Sequence, residues 1–152
     1  MISLILAAGK GTRMKSERPK VIQKVNGTPM LKRVIKTLEN IGIEKNVFIL
    51  GHKKDEVLEV MGEIQYVEQA EQLGTGHAIL IAKEKIEELK EDVIITYGDT
   101  PLLTEKTLSE MRRLFTEKNL DCILLECKVS DPFGYGRIIK ENGNVVDIIM
   151  IS

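Results

Sequence analysis

The chain has 152 residues, enough for one ordinary domain that buries roughly 70% of its unfolded surface without a disulfide or metal staple. Its 43% hydrophobic and 30% charged composition excludes a disordered tail and a collagen-like repeat, and no apolar run reaches the roughly 20 residues of a membrane span. The net charge of -1 conceals an asymmetry: residues 1–36 hold nine basic side chains against one acid, Glu17, and the remainder carries 13 basic and 22 acidic residues. A polarised chain of this kind implies an anionic partner at its N-terminal end. With aromatics at 4%, no tryptophan and no helix-turn-helix or basic-helix pattern, that partner is not expected to be nucleic acid.

In chain order, Ile2–Leu6 reads as a buried first strand, too short and lacking the basic leader of a signal peptide. The expected location is the cytosol, with no membrane partner. Thr28 as N-cap and Pro29 at the first helical position open a helix with apolar residues at 30, 31, 34, 35, 38 and 41, stopped by Gly42. Strands follow at Val47–Leu50 and Ile64–Val67, around a brief helix marked by Val57, Leu58 and Met61. One helix is expected from Thr75, burying Ala78, Ile79, Ala82, Ile86 and Leu89, followed by a buried strand Val93–Tyr97. Thr104 caps a helix that buries Leu108, Met111, Leu114 and Phe115. A longer strand is expected at Cys122–Val129. Its two cysteines, five apart, face opposite sides and cannot bridge, as suits a reducing compartment. Arg137–Lys140 and Val145–Ile151 flank Asn142-Gly143, a hairpin turn.

Strands alternating with helices imply an α/β fold with a Rossmann-like, mostly parallel sheet, mixed at its C-terminal hairpin, in a single domain over 1–152. Ligands of such sheets gather at the carboxyl ends of the strands, so the informative loops are 7–20, 68–76, 98–101 and 131–137. In the first, Gly9 and Gly11 let backbone N–H groups approach a phosphate, Arg13 offers a planar fork and Lys20 a mobile point charge. The dinucleotide pattern fails because position 14 is methionine, and the Walker pattern fails around Lys10. Asp99 ends a strand, where a lone carboxylate suits either Mg²⁺ or the turn before Pro101.

Leu6-Ala7-Ala8-Gly9-Lys10-Gly11-Thr12-Arg13-Met14 with Pro19-Lys20 resembles the signature loop of the sugar-1-phosphate nucleotidylyltransferases. Gln69-Ala70-Glu71-Gln72-Leu73-Gly74-Thr75-Gly76-His77-Ala78 is similar to the base-binding loop of one family among them. That family comprises the bifunctional N-acetylglucosamine-1-phosphate uridylyltransferases / glucosamine-1-phosphate acetyltransferases. Tyr97-Gly98-Asp99 with Pro101-Leu102, and Gly134-Tyr135-Gly136-Arg137, match two further signatures in order. The resemblance implies a nucleotide-diphospho-sugar (MobA-like NTP) transferase fold and transfer of UMP from UTP to N-acetylglucosamine 1-phosphate. Under it, Arg13 and Lys20 are catalytic, and Leu6, Ala7, Ala8, Gly9 and Lys20 hold the nucleotide. Gln69, Gly74 and Thr75 select uracil. Tyr97, Gly98 and Asp99 complete the site, with Asp99 holding Mg²⁺ and Gly136 against the sugar.

The chemistry of the residues agrees. A carboxamide such as Gln69 donates and accepts at once, as a pyrimidine edge requires, although Gly74 and Thr75 taken alone also read as a turn and its N-cap. His77 reads as a packing residue, His52 carries no assignment, and Arg137 divides between sugar contact and a structural ion pair. Where the family carries a sugar-contacting glutamate this chain has Met150, and two later asparagines and the acetyltransferase half have no counterpart. These departures keep other readings open: a truncated nucleotide-binding remnant or regulatory module with little catalysis, or a different sugar-1-phosphate nucleotidylyltransferase. The expected state is a monomer, or weak self-association through an unpaired C-terminal edge.

Overall fold

The computed structural model describes all residues except 12, 13, 15, 132, 134, 151 and 152, and of Met150 the backbone alone. It comprises two compact units, Met1–Glu110 and Met111–Ser152. In the first, β1 (Ile2–Leu6) leads through a 3-10 turn, Lys20–Ile22, to a small hairpin of β2 (Lys24–Val25) and β3 (Thr28–Pro29). Then come α1 (Met30–Asn40), β4 (Asn46–Leu50), α2 (Lys54–Met61), β5 (Tyr66–Glu68), α3 (Thr75–Ile81), α4 (Lys83–Leu89) and β6 (Val93–Tyr97). The unit boundary falls within α5 (Glu105–Glu117), and the second unit holds β7 (Gly136–Glu141) and β8 (Asn144–Met150).

β1, β4, β5 and β6 form a parallel sheet in the order β5-β4-β1-β6. A strand paired on both edges and covered on both faces must be apolar throughout. β1 meets that demand: Ile2, Leu4 and Ile5 are fully buried, and the hydroxyl of buried Ser3 donates to Asn46 Oδ1 at 2.6 Å. α1 brings Met30, Leu31, Val34 and Leu38 against this core, at helical spacing. Each such side chain contributes about 1.5–3 kcal/mol on burial. After β5 the chain crosses to the far side of β1 to make β6. The strand order therefore reverses between β1 and β6, and a crevice opens there at their carboxyl ends.

Four expectations are corrected. Thr28 is not the N-cap of α1 nor Pro29 its first helical residue: both lie in β3, and Pro29 is the N-cap. Asn26 and Gly27 adopt left-handed backbones (φ 48° and 79°), which make an Asn-Gly hairpin turn and hold Thr28 extended in β3, so α1 begins at Met30. The helix expected from Thr75 is two, divided at Ala82 (φ -88°, ψ -4°). Ala78 and Ala82 are buried as anticipated, with Ile79, Ile86 and Leu89 packed partly against them. β6 is an outer strand rather than a buried one, with Ile95 and Tyr97 nearly half exposed. Residues 122–129 form no strand. Among the described residues no neighbour pairs with their backbone, and Cys122 and Cys127 are both exposed and unbridged. Apolar composition alone does not make a ladder.

The second unit's sheet is the antiparallel hairpin β7–β8, with an irregular register at Ile139/Lys140. Asn142 and Gly143, both at positive φ, form its turn. Among the described residues no helix is long and apolar enough to cross a membrane.

Candidate active site

The loops leaving the carboxyl ends of the parallel strands enclose a cleft of about 370 Å³. Backbone hydrogen bonds extend the ladder into it: Ala7 N–H donates to the Ile49 carbonyl, Gly98 N–H to Leu6 and Gln69 N–H to Leu50, at 2.7–2.9 Å. These bonds fix where each loop leaves the sheet. Leu6, Ala7, Ala8, Gly9 and Lys20 line one side of the cleft. Gln69, Gly74 and Thr75 come from the loop after β5, and Tyr97 and Asp99 from the end of β6. Ten of the anticipated residues thus share one cavity.

Two others stand elsewhere. Gly98 lies beneath the lining: a Cβ there would meet Leu31, Val21 and Ala7 at 3.0–3.4 Å, so glycine permits the close packing of this floor. Gly136 opens β7 in the second unit, paired with Met150. Arg13 and Gly134 lie outside the described residues. Arg137 Nη1 donates to the Tyr135 carbonyl at 2.7 Å.

Among the described residues of the cleft, the two charged ones meet each other. Lys20 Nζ is 2.6 Å from Asp99 Oδ2, with both side chains about one-third exposed. Gly11 sets this geometry. Its φ is +61°, and a Cβ there would stand 2.8 Å from Lys20 Cβ, so only glycine lets the loop return over Lys20. Of the other basic groups, Arg33 Nε donates to the Val25 carbonyl at 3.0 Å, and Lys53, at the start of α2, binds the Glu17 carbonyl and Glu56.

Three features of the loop after β5 were not legible in the sequence. Gln72 Nε2 donates to the Ala8 carbonyl at 2.7 Å, tying this loop to the first one. Gly51 lets the two approach, because a Cβ there would lie 2.8 Å from the Gln69 carbonyl oxygen and 3.0 Å from Ala8 Cβ. Gln69, only 5% exposed, has its Nε2 at 3.2 Å from the Gly74 carbonyl and 3.1 Å from His77 Nδ1. Gln72 and His77 both lie inside the quoted motif 69–78, but spacing does not reveal which atoms meet. Gly74 itself adopts φ +97° and ψ 178°, a backbone open to glycine alone.

Among the described residues no three carboxylate, imidazole or thiol groups converge. Mg²⁺ needs no such cage: it takes one or two carboxylates and fills its remaining positions with water and substrate phosphate oxygens. Asp99, partly exposed in the cleft, is a hard oxygen donor that fits this pattern.

Residues 3–137 match the MobA-like NTP transferase domain. The chain is 44% identical over 151 residues to the bifunctional protein GlmU of Thermoanaerobacter pseudethanolicus, and 43% identical over 145 residues to that of Streptococcus uberis. These alignments cover 98% and 95% of this chain, which spans about a third of the length of either relative. HddC from Yersinia pseudotuberculosis, solved in complex with GMP-PN, matches with a TM-score of 0.70 and 26% identity, covering 98% of this chain and 69% of that one. A cleft of the expected residues at the strand-order reversal of a parallel sheet, and a family match over most of its length, agree: the chain belongs to the MobA-like NTP transferase domain family.

Proposed function

We propose that the cleft binds UTP and that the chain transfers its uridylyl group to N-acetylglucosamine 1-phosphate, releasing pyrophosphate. The observation that carries this reading is the convergence, in one cavity, of a cation–carboxylate pair (Lys20, Asp99) with a polar reader of a base edge (Gln69, Gly74). A phosphate oxygen of the sugar phosphate attacks the α-phosphorus. As that bond forms, the bond from the α-phosphorus to the bridging oxygen breaks, and pyrophosphate leaves with the electron pair. Such a reaction needs no covalent nucleophile from the protein, only alignment and neutralisation of charge.

In this reading Gly9 and the adjoining backbone cradle the phosphates. Lys20, with three protons and Asp99 as one partner, retains donors for a phosphate oxygen. Arg13 acts on the leaving pyrophosphate, and Gly136 meets the sugar. Asp99 would hold Mg²⁺, which when bound offsets charge on the phosphate oxygens.

The test is pyrophosphate release from each nucleoside triphosphate with a panel of sugar 1-phosphates. UTP with N-acetylglucosamine 1-phosphate should be the preferred pair. Equal or greater release with another pair would overturn the assignment. Titration calorimetry of Asp99→Asn should show nucleotide binding that no longer responds to Mg²⁺, and an unchanged response would remove Asp99 as the ligand. A second reading, binding with weak turnover, is favoured by Met150, which stands where the family carries a sugar-contacting glutamate. Tight UTP binding with negligible pyrophosphate release would support it.

A further inference from the structure

We infer that His77 is a positioning residue for base selection: as a neutral imidazole protonated on Nε2, it fixes Gln69 as a pure acceptor toward the nucleotide base. This rests on the cleft being a nucleotide site. The Gly74 carbonyl can only accept. It lies 3.2 Å from the Gln69 carboxamide, so the amide nitrogen must face it, because the reversed amide would set two oxygens against each other. The same nitrogen lies 3.1 Å from His77 Nδ1. An amide nitrogen does not accept, so its second proton is donated to Nδ1, and the ring proton must sit on Nε2.

Both amide protons are then engaged, and Oε1 is the one polar atom Gln69 has left. Among the described residues Oε1 has no partner, and no fully buried side-chain oxygen or nitrogen lacks one, so Oε1 is open to solvent on a residue that lines the cleft. Gln69 in isolation reads a base ambiguously, as donor or acceptor. Held by His77 and Gly74, it accepts only. The base it selects must present an imino N–H, as uracil does at N3 and guanine at N1. Cytosine offers a bare acceptor nitrogen at N3, which would face Oε1 unfavourably. A burial role alone would not require Nδ1 to be unprotonated.

Two measurements on the whole chain test this. The ¹⁵N chemical shifts of His77 should show Nδ1 unprotonated and Nε2 protonated. A proton on Nδ1 would overturn the inference with no nucleotide present. Calorimetry with UTP, GTP, CTP and ATP should then compare wild type, His77→Phe and His77→Asn, with thermal melting as a check on folding. Freed of one hydrogen bond, His77→Phe should lose about tenfold in its preference for UTP over CTP. His77→Asn, which keeps an acceptor, should recover most of it. An unchanged UTP:CTP ratio in a folded His77→Phe, or uniform loss for all four nucleotides without rescue by His77→Asn, would overturn the role. Preference of the wild type for GTP would refute the uridylyl reading and leave this inference standing. Preference for CTP or ATP would refute both.

Discussion

Under the proposed function, the contact between Lys20 and Asp99 matters for chemistry rather than for stability. An ion pair with both partners about one-third exposed is worth about 0–1 kcal/mol, so removing it should scarcely move the melting temperature. If the cleft holds a nucleotide as proposed, the same ammonium acts on charge that develops in the transition state, where a single donor is commonly worth about a hundredfold in rate. Lys20→Ala should therefore lower kcat by about a hundredfold with UTP affinity falling less than about tenfold. Single-turnover kinetics beside a binding titration separates the two, and wild-type kcat would remove Lys20 from the reaction. Gly11 is the converse case, a residue with no chemistry on which the geometry depends. Gly11→Ala would add left-handed strain of about 1–2 kcal/mol and press a methyl on Lys20 Cβ. It should lower the melting temperature and turnover together, unlike Lys20→Ala.

At the scale of elements, β7–β8 and the parallel sheet differ in how their apolar residues are covered. In the hairpin Val145, Val146, Ile148 and Ile149 are all exposed to 44% or more, whereas β1 and β4 are nearly sealed. Two strands alone are marginal in water. Amides of β7 and β8 should accordingly exchange with deuterium well before those of β1 and β4, as mass spectrometry would record. Equal protection would mean that the hairpin is covered in solution. This contrast also explains what the sequence disclosed. β1, β4, α1 and the hairpin turn were legible because apolar period and turn chemistry specify them locally. Cys122–Val129 misled because a β-rich run states a willingness to pair and cannot state that a partner exists. Ala82 divided a helix that periodicity would have continued. In the cleft, the meeting of Lys20, Gln69 and Asp99 was legible because strand-end loops converge in a parallel sheet, whereas Gly74 and Thr75 taken alone read as a turn and its N-cap and were marked out only by the family resemblance. The Gln72 latch, the His77 contact and Gly51 were not, because they depend on which atoms meet across loops some 20–60 residues apart or on a single side-chain orientation.

Across the molecule, the two ends of the parallel sheet have separate duties. The cleft lies at the carboxyl ends, while the amino ends are bound by Glu91, which holds the Met1 amino group and Lys45 Nζ at 2.6 Å each. These residues immediately precede or lie just before β1, β4 and β6, so one carboxylate gathers three strands. The hydrogen bond from Lys45, and then that from the amino terminus, pull its carboxyl from an ordinary value of 4.5 down to about 2. A depressed carboxyl stabilises the fold above its unfolded value, and that contribution disappears as pH falls through about 2. Glu91→Gln should consequently melt earlier than wild type at neutral pH, with the difference closing between pH 4.5 and 2. A difference that persists at the acid end would place the effect elsewhere.

The bare backbone at Gly51 has a consequence for what the cleft can measure. With no methyl in that gap, the loop that holds Gln69 and the loop that holds Ala8 rest directly on each other, so their separation is set by contact and not by compliance. Under the proposed function, the pair is a fixed ruler between base and phosphates. Gly51→Ala would insert a shim into it. Affinity for UTP, which in the proposed site would span both loops, should drop about tenfold, while affinity for tripolyphosphate, which would touch one, should stay the same. A nucleotide would then be read as two unrelated fragments instead of one length.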